Sequence, residues 1–204
     1  LAYDYSNDTP RERELIPSGT ICTVVLHIRS GNAGEDGLLK RSKDGGCEML
    51  DLEFTVVDGP HAKRKFWEYW VLDGIRSEHQ DIARTSRGKL RQVLESSSGI
   101  KPNDMSPEAR VARTVAIRDF EGKTFVVKIG IERGKDKNDG TGEKWSDKNY
   151  IDRIITPDQK DWHPSEQPPP FDDSGTAGAA PTSTPTSTPA TTPAVPVAKP
   201  DWAA

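Results

Sequence analysis

Residues 47–57 alternate strictly: Leu50, Leu52, Phe54 and Val56 interleave with Met49, Asp51, Glu53 and Thr55. Apolar residues at a period of two set one side of an extended strand against a core and leave the other side wet. This is the clearest strand in the chain, and it commits the fold to a β-sheet. Asp58-Gly59-Pro60 ends it. A second extended stretch, Lys63-Arg64-Lys65-Phe66-Trp67-Glu68-Tyr69-Trp70, follows directly. The two are expected to form a hairpin with a positively charged tip.

The second stretch can present either side to the core. Phe66, Glu68, Trp70 and Leu72 share one side, and Trp67, Tyr69, Val71 and Asp73 share the other. A lone carboxylate in a core is strongly unfavourable or loses its charge. Glu68 is therefore assigned outward, which makes Phe66 and Trp70 the outward pair and leaves Trp67, Tyr69 and Val71 to the core. Three cations followed by outward rings suit single-stranded nucleic acid, where charge meets the phosphates and flat faces meet the bases. Asp51 and Glu53 count against this reading, because they lie on the neighbouring wet face and would repel a phosphate backbone.

The rest of the chain fits around this hairpin. A strand is expected over residues 20–28, with Cys22, Val24, Leu26 and Ile28 on one face and Thr23 and His27 on the other. Residues 30–46 hold five glycines and read as a long loop in which Lys40, Arg41 and Lys43 could meet phosphate. Residues 81–98 read as a helix with Asp81 as N-cap and Gly99 as stop. Ile82, Leu90, Val93 and Leu94 form its apolar side, and Arg84, Arg87 and Arg91 form a stripe beside it. Ser106 and Pro107 open a second helix. Glu121-Gly122-Lys123 turns into a strand over residues 124–132, with Phe125, Val127, Ile129 and Ile131 inward. Residues 134–148 form a glycine- and lysine-rich loop carrying Trp145, and a last strand covers residues 150–155. The expected fold is mainly β with one or two helices. Five strands with a helix between the third and fourth is the order of an OB-like barrel, a fold that often binds oligonucleotides.

Composition narrows the classes. The 204 residues suit one domain and a tail. The net charge of −4 is unevenly spread, with eight Lys/Arg against four Asp/Glu in residues 61–91 and one Lys against four acids from His163 onward. Cys22 and Cys47 are far apart and the four histidines show no ligand spacing, so no metal or other cofactor is expected. No apolar run reaches the roughly 20 residues that span a bilayer and no signal peptide opens the chain, so a soluble, cytoplasmic protein without membrane partners is expected. Leu1 stands where a Met would begin a native chain, which leaves room for further native residues.

The expected organisation is an N-terminal arm over residues 1–18, a domain over residues 19–162, and a tail over residues 163–204. The tail is rich in Pro, Thr, Ser and Ala, with little to bury, and is expected to be disordered. Asp201 and Trp202 at its tip are the candidate anchor for a partner protein.

Several segments together resemble a known family. They are the strand over residues 47–57, Gly59-Pro60-His61-Ala62-Lys63-Arg64-Lys65-Phe66-Trp67, Arg87-Gly88-Lys89-Leu90 leading to Ser98-Gly99, Glu121-Gly122-Lys123-Thr124-Phe125-Val126-Val127, and Lys148-Asn149-Tyr150-Ile151. The chain is similar, over roughly residues 15–160, to phage and prophage proteins known as a domain of unknown function and regarded as single-stranded-DNA-binding-like. The resemblance implies an OB-like core, a phage replication or recombination setting in the bacterial host cytoplasm, and no catalytic residues. The tail is similar in layout to those of bacterial single-stranded-DNA-binding proteins, which recruit replication and repair enzymes, but its peptide differs.

The expected function is single-stranded DNA binding without strong sequence preference. Backbone charge would come from Lys63, Arg64, Lys65, Arg84, Arg87 and Arg91, stacking from Phe66 and Trp70, and recruitment of replication or recombination proteins from the tail. One alternative is a protein-interaction module, favoured by the overall acidity. A minor one is a metal-dependent nuclease using Asp104 with Glu121 and Lys123. No phosphate-cradling loop, HExxH or nucleophile elbow is present.

Overall fold

A computed structural model describes residues 14–137 and 141–164. Six strands form one antiparallel sheet: β1 (Ile21–Arg29), β2 (Leu39–Arg41), β3 (Cys47–Val56), β4 (Lys65–Gly74), β5 (Thr124–Glu132) and β6 (Lys148–Ile154). Two α-helices, α1 (Ser77–Ser98) and α2 (Pro107–Ala112), lie between β4 and β5. No helix among the described residues is long and apolar enough to cross a membrane.

The apolar side of β3 is buried as expected, but the opposite side is not simply wet: Asp51 and Thr55 on it are 5% and 6% exposed, because neighbouring strands cover it. Leu50, Leu52, Phe54 and Val56 are buried, and β3 gives one edge to β4 along its whole length. Its other edge is shared end to end by β1, paired from Arg29↔Asp51 to Val24↔Val56, and by β2, paired from Arg41↔Glu48 to Leu39↔Leu50. From β1 the sheet continues through β5 to β6. The ladders slip by a residue at Glu48/Met49 and Lys128/Ile129, irregularities of the kind that bend a strand and increase its twist.

β2 is an addition to the five expected strands. Three residues are too few to show alternation, and it forms only because the preceding loop folds back tightly. A Cβ on Gly31 would sit 2.2 Å from the Leu39 carbonyl oxygen, so only glycine lets the chain return so closely.

α1 starts earlier than expected. Arg76, in extended conformation, is the N-cap, and Asp81 lies within the helix, where its carboxylate pairs with Arg84. The reason is tertiary: the first turn is held by His79 Nδ1 against the Gly46 carbonyl and by the Gln80 amide donating to the Gly74 carbonyl. Its C-terminus is as read, with Gly99 at φ 68°. Leu90, Val93 and Leu94 enter the core with Ala83, whereas Ile82, expected among them, is half exposed because the helix turns it away from the sheet. Ser106 caps α2, its hydroxyl accepting from the Ala109 N–H.

The core is one cluster. Cys22, Val24, Leu26 and Ile28 of β1, the apolar side of β3, and Phe125, Val127 and Ile129 of β5 meet Ile151 of β6 and the inner side of α1. Ile16 joins them at 2% exposure. Its backbone N–H donates to Asn149 Oδ1 and its carbonyl accepts from Asn149 Nδ2, so the expected arm is anchored to β6 at this point. At the other end, Trp162 Nε1 donates to the Ser96 carbonyl. Most of the segment assigned as a tail, including Asp201 and Trp202, lies outside the described residues.

Candidate nucleic-acid interface

β4 meets the core with the side opposite to the one expected. Phe66 and Trp70 are 4% and 2% exposed, while Trp67 and Tyr69 are 37% and 57% exposed. Phe66 stacks on Phe54 with ring centroids 5.2 Å apart, and Trp70 packs on the same ring at 5.7 Å. The premise that misplaced them was that Glu68 could not lie inward. It does, because it is fully engaged. Oε2 accepts from Trp70 Nε1 at 2.8 Å and lies 3.4 Å from Lys89 Nζ, and Oε1 accepts from the Ile151 N–H of β6. A carboxylate with two donors and a cation no longer carries the penalty of an unpaired buried charge.

The outward face of β4 therefore presents Lys65, Trp67 and Tyr69. Strand register sets Glu53 beside Trp67, Asp51 beside Tyr69, and His27 and Arg29 of β1 beyond them. Glu53 accepts from Lys65 Nζ at 2.6 Å and from Trp67 Nε1 at 2.9 Å. Asp51, 5% exposed, faces Lys40 Nζ at 3.1 Å and Arg29 at 3.7 Å. The two carboxylates that argued against phosphate are thus matched by three cations. Partial burial pushes the Glu53 carboxyl up, but the hydrogen bonds from Lys65 and Trp67 outweigh it and hold the group below its ordinary range. The Lys40 ammonium is held above its ordinary range by the Tyr69 hydroxyl and then by Asp51. It sits 4.7 Å from the Tyr69 ring centroid, over an exposed aromatic face.

Next to this face opens a groove of about 1400 Å³, lined by Glu14, Lys63, Arg64, Lys65 and Trp67 on one side and by residues 146–149 on the other. Arg64 is engaged there, donating to the Glu14 carbonyl at 2.6 Å and to its carboxylate at 3.0 Å. Lys148 pairs with Glu132 at 3.1 Å. Lys63 is exposed, and its ammonium makes no hydrogen bond or ion pair among the described residues. Its backbone has φ 70°, a left-handed conformation that costs a non-glycine residue roughly 1–2 kcal/mol. Trp145, 64% exposed, lies just outside the groove with Lys137 Nζ 5.5 Å from its ring centroid.

The arginine stripe of α1 is not assembled with this face. Arg84 pairs with Asp81, Arg87 donates to the Leu72 carbonyl, and Arg91 binds Glu95 and the Pro102 carbonyl. Arg91 and Arg113 together clasp Glu95, which is 1% exposed, so part of the stripe is structural. The expected nuclease carboxylates also have separate local partners. Glu121 binds His27 Nδ1 and the Ile28 N–H, and Asp104 accepts from the Ser106 N–H. Among the described residues no group of three or more His, Cys, Asp or Glu side chains could hold a metal ion.

The structure places the sequence-predicted cations Lys63, Arg64 and Lys65 along the groove, while Trp67 and Tyr69, expected in the core, and Arg29, not singled out, are surface groups. The available signal was the aromatic run itself; only its side was misassigned. In comparisons with known proteins, no protein-family model and no curated protein matches the chain.

Proposed function

We propose that this domain binds single-stranded DNA across the outward face of β3 and β4. The observation that carries the proposal is the pair Trp67 and Tyr69, two residues apart on one strand, beside two carboxylates, Glu53 and Asp51, whose charge the three cations Lys65, Lys40 and Arg29 more than offset. Rings spaced by two residues stand about 7 Å apart, which suits successive unstacked bases. Sequence-tolerant stacking of this kind, with cations beside it, is the usual chemistry of single-strand binding.

An OB-like barrel is the finer fold reading we favour. The helix between β4 and β5 supports it, as does the Glu68 bridge between β4 and β6, which lie at opposite ends of the path of pairing from β4 through β3, β1 and β5 to β6. In such a barrel the outward face used here and the loops on either side of it form the usual oligonucleotide surface. A role in phage replication or recombination follows from the resemblance noted in the sequence.

The test is titration of a fluorescent oligothymidylate with the full chain, repeated with duplex DNA and over a range of salt. Salt-sensitive binding to the single strand is expected, weakened by about 1–3 kcal/mol in Trp67→Ala and in Tyr69→Ala. Absence of binding at low salt would reject the proposal. It would favour the second reading, a protein-interaction module, for which the 84% exposure of Ile75 and the half-exposed Ile82 at the start of α1 are the relevant features.

A further inference from the structure

The groove beside the stacking face is not explained by Trp67 and Tyr69 alone. Its rim carries Lys63, which combines three properties: it is exposed, its ammonium has no partner among the described residues, and it occupies a left-handed position. Glycine or asparagine would fit that backbone more easily than lysine. The other groove cations Arg64, Lys65 and Lys148 are already matched by Glu14, Glu53 and Glu132, so among the described residues Lys63 is the groove cation left to meet an incoming anion. A residue held in an unfavourable conformation with its charge unspent points to use of that charge.

We infer that the groove is the continuation of the single-strand path, taking the sugar-phosphate backbone beyond the two stacked bases, with Lys63 contacting a phosphate there. This rests on the single-strand reading above and adds to it a length and a direction along β4. Tyr69, Trp67 and Lys65 succeed one another at about 7 Å intervals, and the groove, which Trp67 and Lys65 themselves border, continues to Lys63. Two stacked nucleotides and a phosphate contact in the groove together call for a strand longer than a trinucleotide, in keeping with the roughly 4–16 nucleotides occupied by single OB folds. A trinucleotide would fill only the stacking face.

The experiment compares the full-length wild type with Lys63→Gly, Lys63→Arg and Trp67→Ala on two deoxythymidine oligonucleotides, one of about three nucleotides and one of about twelve, over a fourfold salt range. One phosphate contact on a single strand contributes about 0.7 to the slope of log affinity against log salt. On the longer oligonucleotide Lys63→Gly is expected to lose about that much slope, equivalent to roughly 2.6-fold over the range. On the trinucleotide it should match the wild type, and Lys63→Arg should keep the wild-type slope on both. Glycine suits φ 70°, so the variant's urea midpoint should equal or exceed that of the wild type, which separates a lost contact from lost folding. Unchanged slope in Lys63→Gly while Trp67→Ala binds more weakly would overturn the groove assignment and leave the stacking face standing. Equal losses in Lys63→Gly and Lys63→Arg would also overturn it, since the charge would then not be the cause. A wild type that binds neither oligonucleotide would remove the functional reading and this inference with it.

Discussion

Glu68→Ala tests the packing of β4 most directly. The side chain is 12% exposed and engages Trp70 Nε1, the Ile151 N–H and Lys89 Nζ. Removing it strands two buried donors, at about 1–3 kcal/mol each, and leaves Lys89 without its carboxylate. The expected loss is about 4 kcal/mol. Were Glu68 on the wet side of the strand, as the cost of a lone buried carboxylate suggests, the same substitution would stay within about 0.5 kcal/mol. Urea unfolding followed by tryptophan fluorescence separates the two. With a slope near 2 kcal/mol per molar, a 4 kcal/mol loss lowers the midpoint by about 2 M. Glu68→Gln should recover only part of this, because its amide turns a donor towards at least one of the donors the carboxylate accepts. A loss below about 1 kcal/mol in Glu68→Ala would refute the argument that these hydrogen bonds hold β4 with Phe66 and Trp70 inward.

Other outcomes follow from the same geometry. Trp70→Ala should destabilise the domain by about 3–5 kcal/mol, whereas Tyr69→Ala should leave the urea midpoint nearly unchanged; equal effects would contradict the burial difference. Burial, aided by the charge of Asp58, pushes the Cys22 thiol up to about 12. Its contribution to stability is therefore complete below the unfolded value of about 8.5 and declines as pH rises from there towards 12; Cys22→Ala should flatten the fall in urea midpoint between about pH 8.5 and 10, and parallel wild-type and variant curves would refute this. Glu53 has a lowered carboxyl range, so its contribution is present above about pH 4.3 and is lost as pH falls through its lower folded value. Acid titration of stability should thus be steeper in the wild type than in Glu53→Gln, with equal slopes counting against the Lys65 and Trp67 hydrogen bonds as the cause.

The sequence by itself determined where the chain extends, turns and coils, because those signals are local. Strict alternation marked the buried side of β3, Gly99 stopped α1 in the left-handed region, Ser106 capped α2, and Gly122 formed the turn into β5 at φ 73°. Only the tertiary structure decided which side of β4 is inside. A period of two defines the faces of a strand but not which one meets the core, and when one face holds a carboxylate the choice rests on that carboxylate's partners. Glu68 finds them at Lys89, 21 residues away, and at Ile151, 83 residues away. The charge of Asp51 is likewise balanced only in the folded sheet, by Lys40 of β2 and Arg29 of β1. The proposed interface inherits that dependence: its residue types are visible in one short run, but their exposure is set by contacts from distant parts of the chain.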